Sequence, residues 1–247
     1  MYRSNFYLSI IGNIVFFFIR MNIWQALYSV KGTINGIDLG QMMAYVIITE
    51  ILSGISASNI AFTIADQVKD GTISNELAKP IDYKMLHVAR EIGGNLLMTI
   101  CITLPAAVLM AVLYDVSFFT SGLQVFLFLF SAVLGAGIMY TIEFLFGIMA
   151  FWFKTAEYSA FISGACRSLF SGAVVPLWFY PEFLYHIAMF LPFRFVTFEP
   201  ISIFLGTYDT KGALVVLLWQ SLWFIGLIPL ERFLWKNVQK HLVIQGG

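Results

Sequence analysis

Between Ile92 and Leu113 the sequence carries no charged side chain, and between Gly122 and Trp152 it carries one, Glu143. Uncharged runs of that length match the roughly 20 residues a helix needs to cross a hydrocarbon core about 30 Å thick. The remainder of the chain follows the same rule. Of its 247 residues 60% are hydrophobic and 11% charged, less than half the charge of about 25% usual for a soluble domain. Mean hydropathy is +0.84. The sequence is that of an integral membrane protein, and its zero net charge points to no nucleic acid and no strongly acidic partner.

Six spans are expected, at about residues 5–28, 39–61, 92–113, 122–152, 158–175 and 212–234, in one transmembrane domain over residues 1–247. Trp24 and Tyr28 sit as an interfacial belt at the end of the first span. A short polar turn with Gly32 and Gly36 leads into the second, and Pro105 predicts a kink in the third. The start has one base, Arg3, and no A-x-A-like site, so the first span reads as retained rather than as a cleaved signal. Cys101 and Cys166 both lie in apolar spans and read as small buried hydrophobes. Residues 176–211 hold four of the seven prolines and many aromatics. That stretch is too broken for one straight span and too apolar for a free loop, so short helices dipping into the outer leaflet are expected, one beginning at Pro181. The aromatics Trp178, Phe179, Tyr180, Phe183 and Tyr185 read as interface anchors.

The long polar island is residues 66–91, DQVKDGTISNELAKPIDYKMLHVARE. With both termini in the cytoplasm, nine bases lie inside: Arg3, Lys69, Lys79, Lys84, Arg90, Lys154, Arg232, Lys236 and Lys240. Three lie outside (Lys31, Arg194, Lys211), which is the asymmetry that positive-inside orientation requires.

Catalytic motifs are absent. No Gly-Lys dipeptide exists, so no phosphate-cradling G-x-x-x-x-G-K-[ST] loop can form. The histidines (His87, His186, His241) stand far apart, without the spacing of a metal site, and no serine sits in a G-x-S-x-G setting. Charges inside spans are costly and call for partners. Arg20 and Glu50 fall at nearly equal depth on neighbouring antiparallel spans, as do Glu143 and Arg167, so two intramembrane ion pairs are expected. Each pair either holds helix register or lines a polar path. Ala160, Gly164, Ser168 and Gly172 form a small-residue stripe at four-residue spacing on the fifth span, and Ser53, Ala57 and Ala61 form another on the second. Such stripes serve close internal packing or a subunit or path contact.

The run Asp70-Gly71-Thr72-Ile73, then Leu77-Ala78-Lys79-Pro80-Ile81, then Arg90-Glu91 resembles the cytoplasmic segment of ABC type-2 exporter permeases, nearest the branch whose ATPase is a separate subunit. Val175-Pro176-Leu177-Trp178-Phe179-Tyr180-Pro181 with Leu191-Pro192-Phe193 resembles that family's outer re-entrant segment before the last span. The likeness covers nearly the whole chain. It implies an all-α membrane protein with six transmembrane helices, a cytoplasmic coupling helix seated in an ATPase, and an outer re-entrant segment. The implied ATPase-coupling residues are Asp70, Gly71, Thr72, Ile73, Glu76, Leu77, Lys79 and Pro80, with Ile73 and Leu77 as apolar i, i+4 knobs. Pro80 would break that helix and Asp82 cap the next. The resemblance further implies a second permease, the same or different, beside spans one, two and five. It also implies ATP and magnesium in the partner ATPase with no cofactor on this chain, and a plasma membrane (bacterial inner membrane) location among lipid. Family members begin with an amphipathic helix, whereas here Met1 stands directly before Tyr2-Arg3-Ser4-Asn5-Phe6. A secondary transporter or channel without an ATPase is the alternative, although no repeat of the halves is evident. A membrane hydrolase lacks any nucleophile–base constellation. The substrate is not legible.

Overall fold

A computed structural model describes residues 2–118, 120–152 and 157–245. The described chain is almost entirely helical. It begins with α1 (Tyr2–Lys31), then a two-residue-per-strand hairpin, β1 (Thr33–Ile34) and β2 (Ile37–Asp38). The hairpin turns on Asn35 and Gly36, whose φ values of 52° and 78° are those an Asn-Gly type I′ turn demands. Asp38 then caps α2 (Leu39–Ser56) in a reciprocal capping box with Gln41.

The second span departs from expectation. Instead of one helix to Ala61, the chain breaks at residues 57–59 and resumes as α3 (Ile60–Lys69). The carbonyls that the break releases are taken up by side chains of other helices. Asn95 donates to Ala57 O at 2.5 Å and Ile55 O at 3.3 Å, and the Tyr140 hydroxyl donates to Ile55 O at 2.7 Å. Glu91 accepts from the Asn59 N–H at 3.1 Å. Broken backbone among apolar helices survives only when its polar groups are satisfied in this way.

After α4 (Ile73–Leu77), α5 (Tyr83–Met98) starts nine residues ahead of the expected third span, capped by Asp82, whose carboxylate accepts from Met85 N at 2.9 Å. The kink foreseen at Pro105 takes the form of a π segment, Thr99–Thr103, before α6 (Leu104–Leu113). Pro105 lacks an N–H and its ring presses on the carbonyl four residues back, and widening the preceding turn relieves both.

The central helix is α7 (Gly122–Ile148), which packs against α2, α3, α8 (Glu157–Phe170), α10 (Phe198–Phe204) and α11 (Thr210–Gln245). Close approach depends on its glycines. A Cβ on Gly147 would meet Ala61 Cα at 3.1 Å, and one on Gly135 would strike the Phe195 carbonyl oxygen. Gln220 ties the same place together, donating to Ser131 O at 2.7 Å and Phe195 O at 3.0 Å while accepting from Ser131 Oγ at 2.8 Å.

Among the described residues, five helical stretches are long and apolar enough to cross a membrane: 10–30, 39–69, 83–113, 122–151 and 210–240. The expected fifth span is different. There α8 has 14 residues, about 21 Å at 1.5 Å per residue, and the chain then bends irregularly through 171–175. The expected turn around Lys154 lies outside the described residues. Between Pro176 and α11 come the short helices α9 (Glu182–Phe190) and α10, with 3₁₀ turns at Leu177–Phe179 and Pro192–Phe195. Pro181 stands one place before the first helical residue of α9. The aromatics expected as interface anchors divide. Trp178 packs on Tyr45 and Phe198, and Phe179 on Trp24, at 5.1–5.2 Å between rings, while Phe183 stays exposed.

Candidate functional site

Three polar regions interrupt the apolar bundle. The first is the elbow over residues 66–91. Here α3 ends at Lys69, Gly71 turns the chain with φ +71°, and α4 packs against α3. Ile73 is 6% exposed and packs with Ile60, Ile64, Tyr83, Phe144 and Val238, with Leu77 half-buried against them. This corrects the expectation that Ile73 is an outward knob, since its side chain fastens α4 to its own bundle. The outward face consists of Gly71, Thr72, Ser74, Asn75, Ala78, Lys79 and Pro80, all exposed. Glu76 holds that face in shape, accepting from Lys79 at 2.7 Å and lying 3.4 Å from Arg90. The Lys79 hydrogen bond holds its carboxyl below the usual carboxylate range. Asp70 follows α3 as an exposed residue.

Behind the elbow, Tyr83 donates to Gln67 Oε1 at 2.6 Å and stacks on Trp235. Lys84 reaches Glu231 and, at 3.1 Å, Thr141 Oγ1, joining α5 to α11 and α7. Sequence reasoning placed Lys84 in the solvated island and passed over Glu231. The available signal was an acid inside the last apolar run, which needs a partner.

The second region is the clamp of Arg20, Glu50 and Ala173. Arg20 pairs with Glu50, and its other terminal nitrogen donates to Ala173 O at 2.7 Å. The clamp joins α1, α2 and the irregular chain after α8. Glu143 and Arg167, expected to pair likewise, do not form an ion pair. Glu143 is buried and accepts from Ser163 Oγ at 2.8 Å. Arg167 instead lines a cleft of about 190 Å³ with Ser53, Ser56, Ser168, Ser171, Ala173, Val174, Val196 and Thr197. The spacing that predicts equal depth does not fix which way two charges face around their helices.

The small-residue stripe expected on the fifth span also divides, Gly172 lying past the end of α8. Ala160 and Gly172 are buried in the chain, the latter at φ +78° with its carbonyl accepting from the Tyr45 hydroxyl at 2.8 Å. Ser168 is exposed, and a Cβ on Gly164 would meet nothing within 4 Å.

The third region is a buried cluster that the sequence reading missed. Arg194 lies 2.9 Å from Glu199 and 4.5 Å from the centre of the Phe195 ring, and Tyr208 donates to Glu199 at 2.8 Å. A pocket of about 420 Å³, lined by Met189, Phe190, Arg194, Trp219, Leu222 and Trp223, opens beside it. Among the described residues no three His, Cys, Asp or Glu side chains gather to hold a metal ion.

Apolar surface is exposed along α1 (Leu8, Ile11, Val15, Ile19, Ile23), α8 (Phe161, Ile162, Leu169) and α11 (Leu214, Leu218, Leu222, Ile225). Stripes of this length demand lipid or a protein partner. With charges paired between helices inside the bundle, the architecture is that of a multi-pass membrane protein. A family model described as ABC-2 family transporter protein matches residues 11–246. The chain belongs to that family and is a permease subunit of an ABC transporter. No curated protein and no solved structure matches it.

Proposed function

We propose that the chain is the transmembrane half of an ATP-driven exporter whose ATPase is a separate subunit. The ATPase docks on the elbow, binds ATP and magnesium itself, and moves this chain against a second permease, the same or different. The observation that carries the reading is the construction of the elbow. A one-turn helix presents a polar outward face while Ile73 fastens it to α3, α5, α7 and α11, and Tyr83 and Lys84 tie the following α5 to α11 and α7. A push on α4 therefore reaches the long helices through close contacts.

The reading takes six crossings with both termini in the cytoplasm of a plasma membrane. The crossing beyond the five long helical stretches, fifth in chain order, is made of α8 together with the irregular chain at 171–175. That broken crossing agrees with a transport role, since non-helical backbone at membrane depth belongs where it is buried in protein or lines a cavity. Residues 176–211 form the outer re-entrant segment in this scheme.

Docking is tested on the outward face, because Ile73 and Leu77 serve the bundle. Thr72→Arg, Asn75→Arg and Ala78→Arg together are expected to abolish copurification of a P-loop ATPase from the native membrane. Membrane insertion and the monodisperse elution of the chain are expected to persist. Undiminished copurification in the triple variant removes the elbow from the docking surface.

A further inference from the structure

We infer that the cleft behind α8 is a recognition site for the anionic head of an amphipathic molecule. The inference rests on the exporter reading, to which it adds a substrate class. The cleft of about 190 Å³ is bounded by α2 on one side and by the end of α8 and the irregular chain beyond it on the other. Its polar lining is one cation and five hydroxyl-bearing residues: Arg167 with Ser53, Ser56, Ser168, Ser171 and Thr197. No acid is among them.

The cation is the informative group. An arginine among apolar helices is retained at high cost, and its charge is ordinarily met by a carboxylate. The other arginines of this region obey that rule, Arg20 with Glu50 and Arg194 with Glu199. Arg167 has no hydrogen bond from its side chain and no ion pair among the described residues. Its charge is felt at Glu143, but that carboxylate accepts from Ser163 Oγ at 2.8 Å and forms no ion pair with Arg167. Arg167 also lies in the last turn of α8, where a positive charge complements the helix dipole. That role needs a charge but not a cavity lined with hydroxyls.

The surroundings fix the chemistry further. Arginine presents a planar fork of donors suited to phosphate, sulfonate or carboxylate oxygens. The hydroxyls of Ser53, Ser168, Ser171 and Thr197 supply additional single donors, while the Ser56 hydroxyl donates to Leu52 O at 2.7 Å. The volume admits a head of a few heavy atoms, not a whole lipid. Next to it, Leu169 and Val174 are exposed and apolar, a surface for the hydrophobic remainder. The far wall is held still, because Arg20 donates to the Ala173 carbonyl at 2.7 Å.

The test uses the purified full chain in neutral maltoside micelles with three probes: dodecyl phosphate, dodecyltrimethylammonium of the same chain length, and inorganic phosphate as competitor. Dodecyl phosphate is expected to bind at least about tenfold more tightly than the cationic amphiphile. Arg167→Gln is expected to abolish that preference, Arg167→Lys to keep part of it, and Lys236→Gln, an exposed basic residue elsewhere, to leave it intact. If Arg167→Gln does not fold, Ser168→Leu, which crowds the cleft from an exposed position, is expected to weaken the anion alone. Competition by millimolar inorganic phosphate marks the source as a free anion. Its failure to compete marks the source as an amphipath, the class named here. Equal retention of the two amphiphiles, or an Arg167→Gln chain with the preference intact, overturns the site. Copurification of an ATPase is scored on the same preparation. A chain that keeps its ATPase and shows no anion preference refutes only the site. One that binds the anion and never retains an ATPase refutes only the exporter reading.

Discussion

Tyr83 lies flat on Trp235, with ring centroids 5.2 Å apart and planes 6° from parallel. One ring belongs to the first residue of α5, within the elbow, and the other to the last long helix, α11. Trp235 is in turn edge-on to Phe144 of α7, so three long helices meet in one aromatic contact. Tyr83→Ala is expected to cost about 3–5 kcal/mol from the lost ring and the cavity it leaves. Tyr83→Phe loses only the hydroxyl donated to Gln67, about 1 kcal/mol. Thermal unfolding of the two variants in detergent measures the difference. In a reconstituted transporter Tyr83→Phe should keep ATP turnover coupled to transport, while Tyr83→Ala should uncouple it.

The Arg20–Glu50 pair yields a prediction of the opposite kind, in which restoring charge restores stability. Arg20→Leu leaves Glu50 without its cation and Ala173 O without its donor, and the expected loss is about 3 kcal/mol. Glu50→Leu strands the arginine at similar cost. The exchanged pair, Arg20→Glu with Glu50→Arg, should recover part of the charge interaction but not the hydrogen bond to Ala173. A double-mutant cycle on thermal stability should therefore show strong coupling and incomplete rescue.

What could be read in advance follows a physical division. Uncharged runs dictate helices in lipid, and antiparallel neighbours joined by the short turn at Gly32 and Gly36 put Arg20 level with Glu50, so element and depth were legible. Rotation about a helix axis was not. Glu143 turns to Ser163 while Arg167 faces a cleft, and Ile73 turns inward although its one-turn helix is amphipathic in either direction. The break at residues 57–59 has no proline to announce it. It depends on Asn95, Tyr140 and Glu91, which are distant in sequence. The Lys84–Glu231 pair was hidden for the same reason, because its two members lie 147 residues apart in the chain.

Glu76 gives the elbow an acid limit. Its carboxyl is held down by the hydrogen bond from Lys79 and by the charge of Arg90. A carboxylate whose folded pKa is depressed contributes fully above its ordinary value of about 4.3, and the contribution is lost as pH falls through the depressed one. The fold of α4 should therefore be insensitive to pH between about 8 and 6 and should loosen only in strong acid. Hydrogen exchange of residues 72–79, followed from neutral pH down into strong acid, measures it. Glu76→Gln should raise exchange at neutral pH and remove the acid dependence. Loosening of the wild-type elbow near neutrality would mean that another group governs it.

Gly164 separates folding from assembly. It lies mid-helix in α8, and a methyl group there meets nothing within 4 Å in the chain itself. On helix propensity alone, Gly164→Ala should stabilise the isolated chain by about 0.5–1 kcal/mol. Gly135 provides the contrast. Its added methyl group would collide with the Phe195 backbone carbonyl, and Gly135→Ala should cost about 1–3 kcal/mol. If the open side of α8 meets the second permease, Gly164→Ala should raise the thermal midpoint and at the same time weaken the permease pair, because a small residue at a helix crossing sets how closely two backbones approach. Light scattering behind size exclusion reads the second effect and calorimetry the first. A stabilised chain whose pairing is unchanged would place the partner on another face, with the exposed apolar side of α1 the next to test.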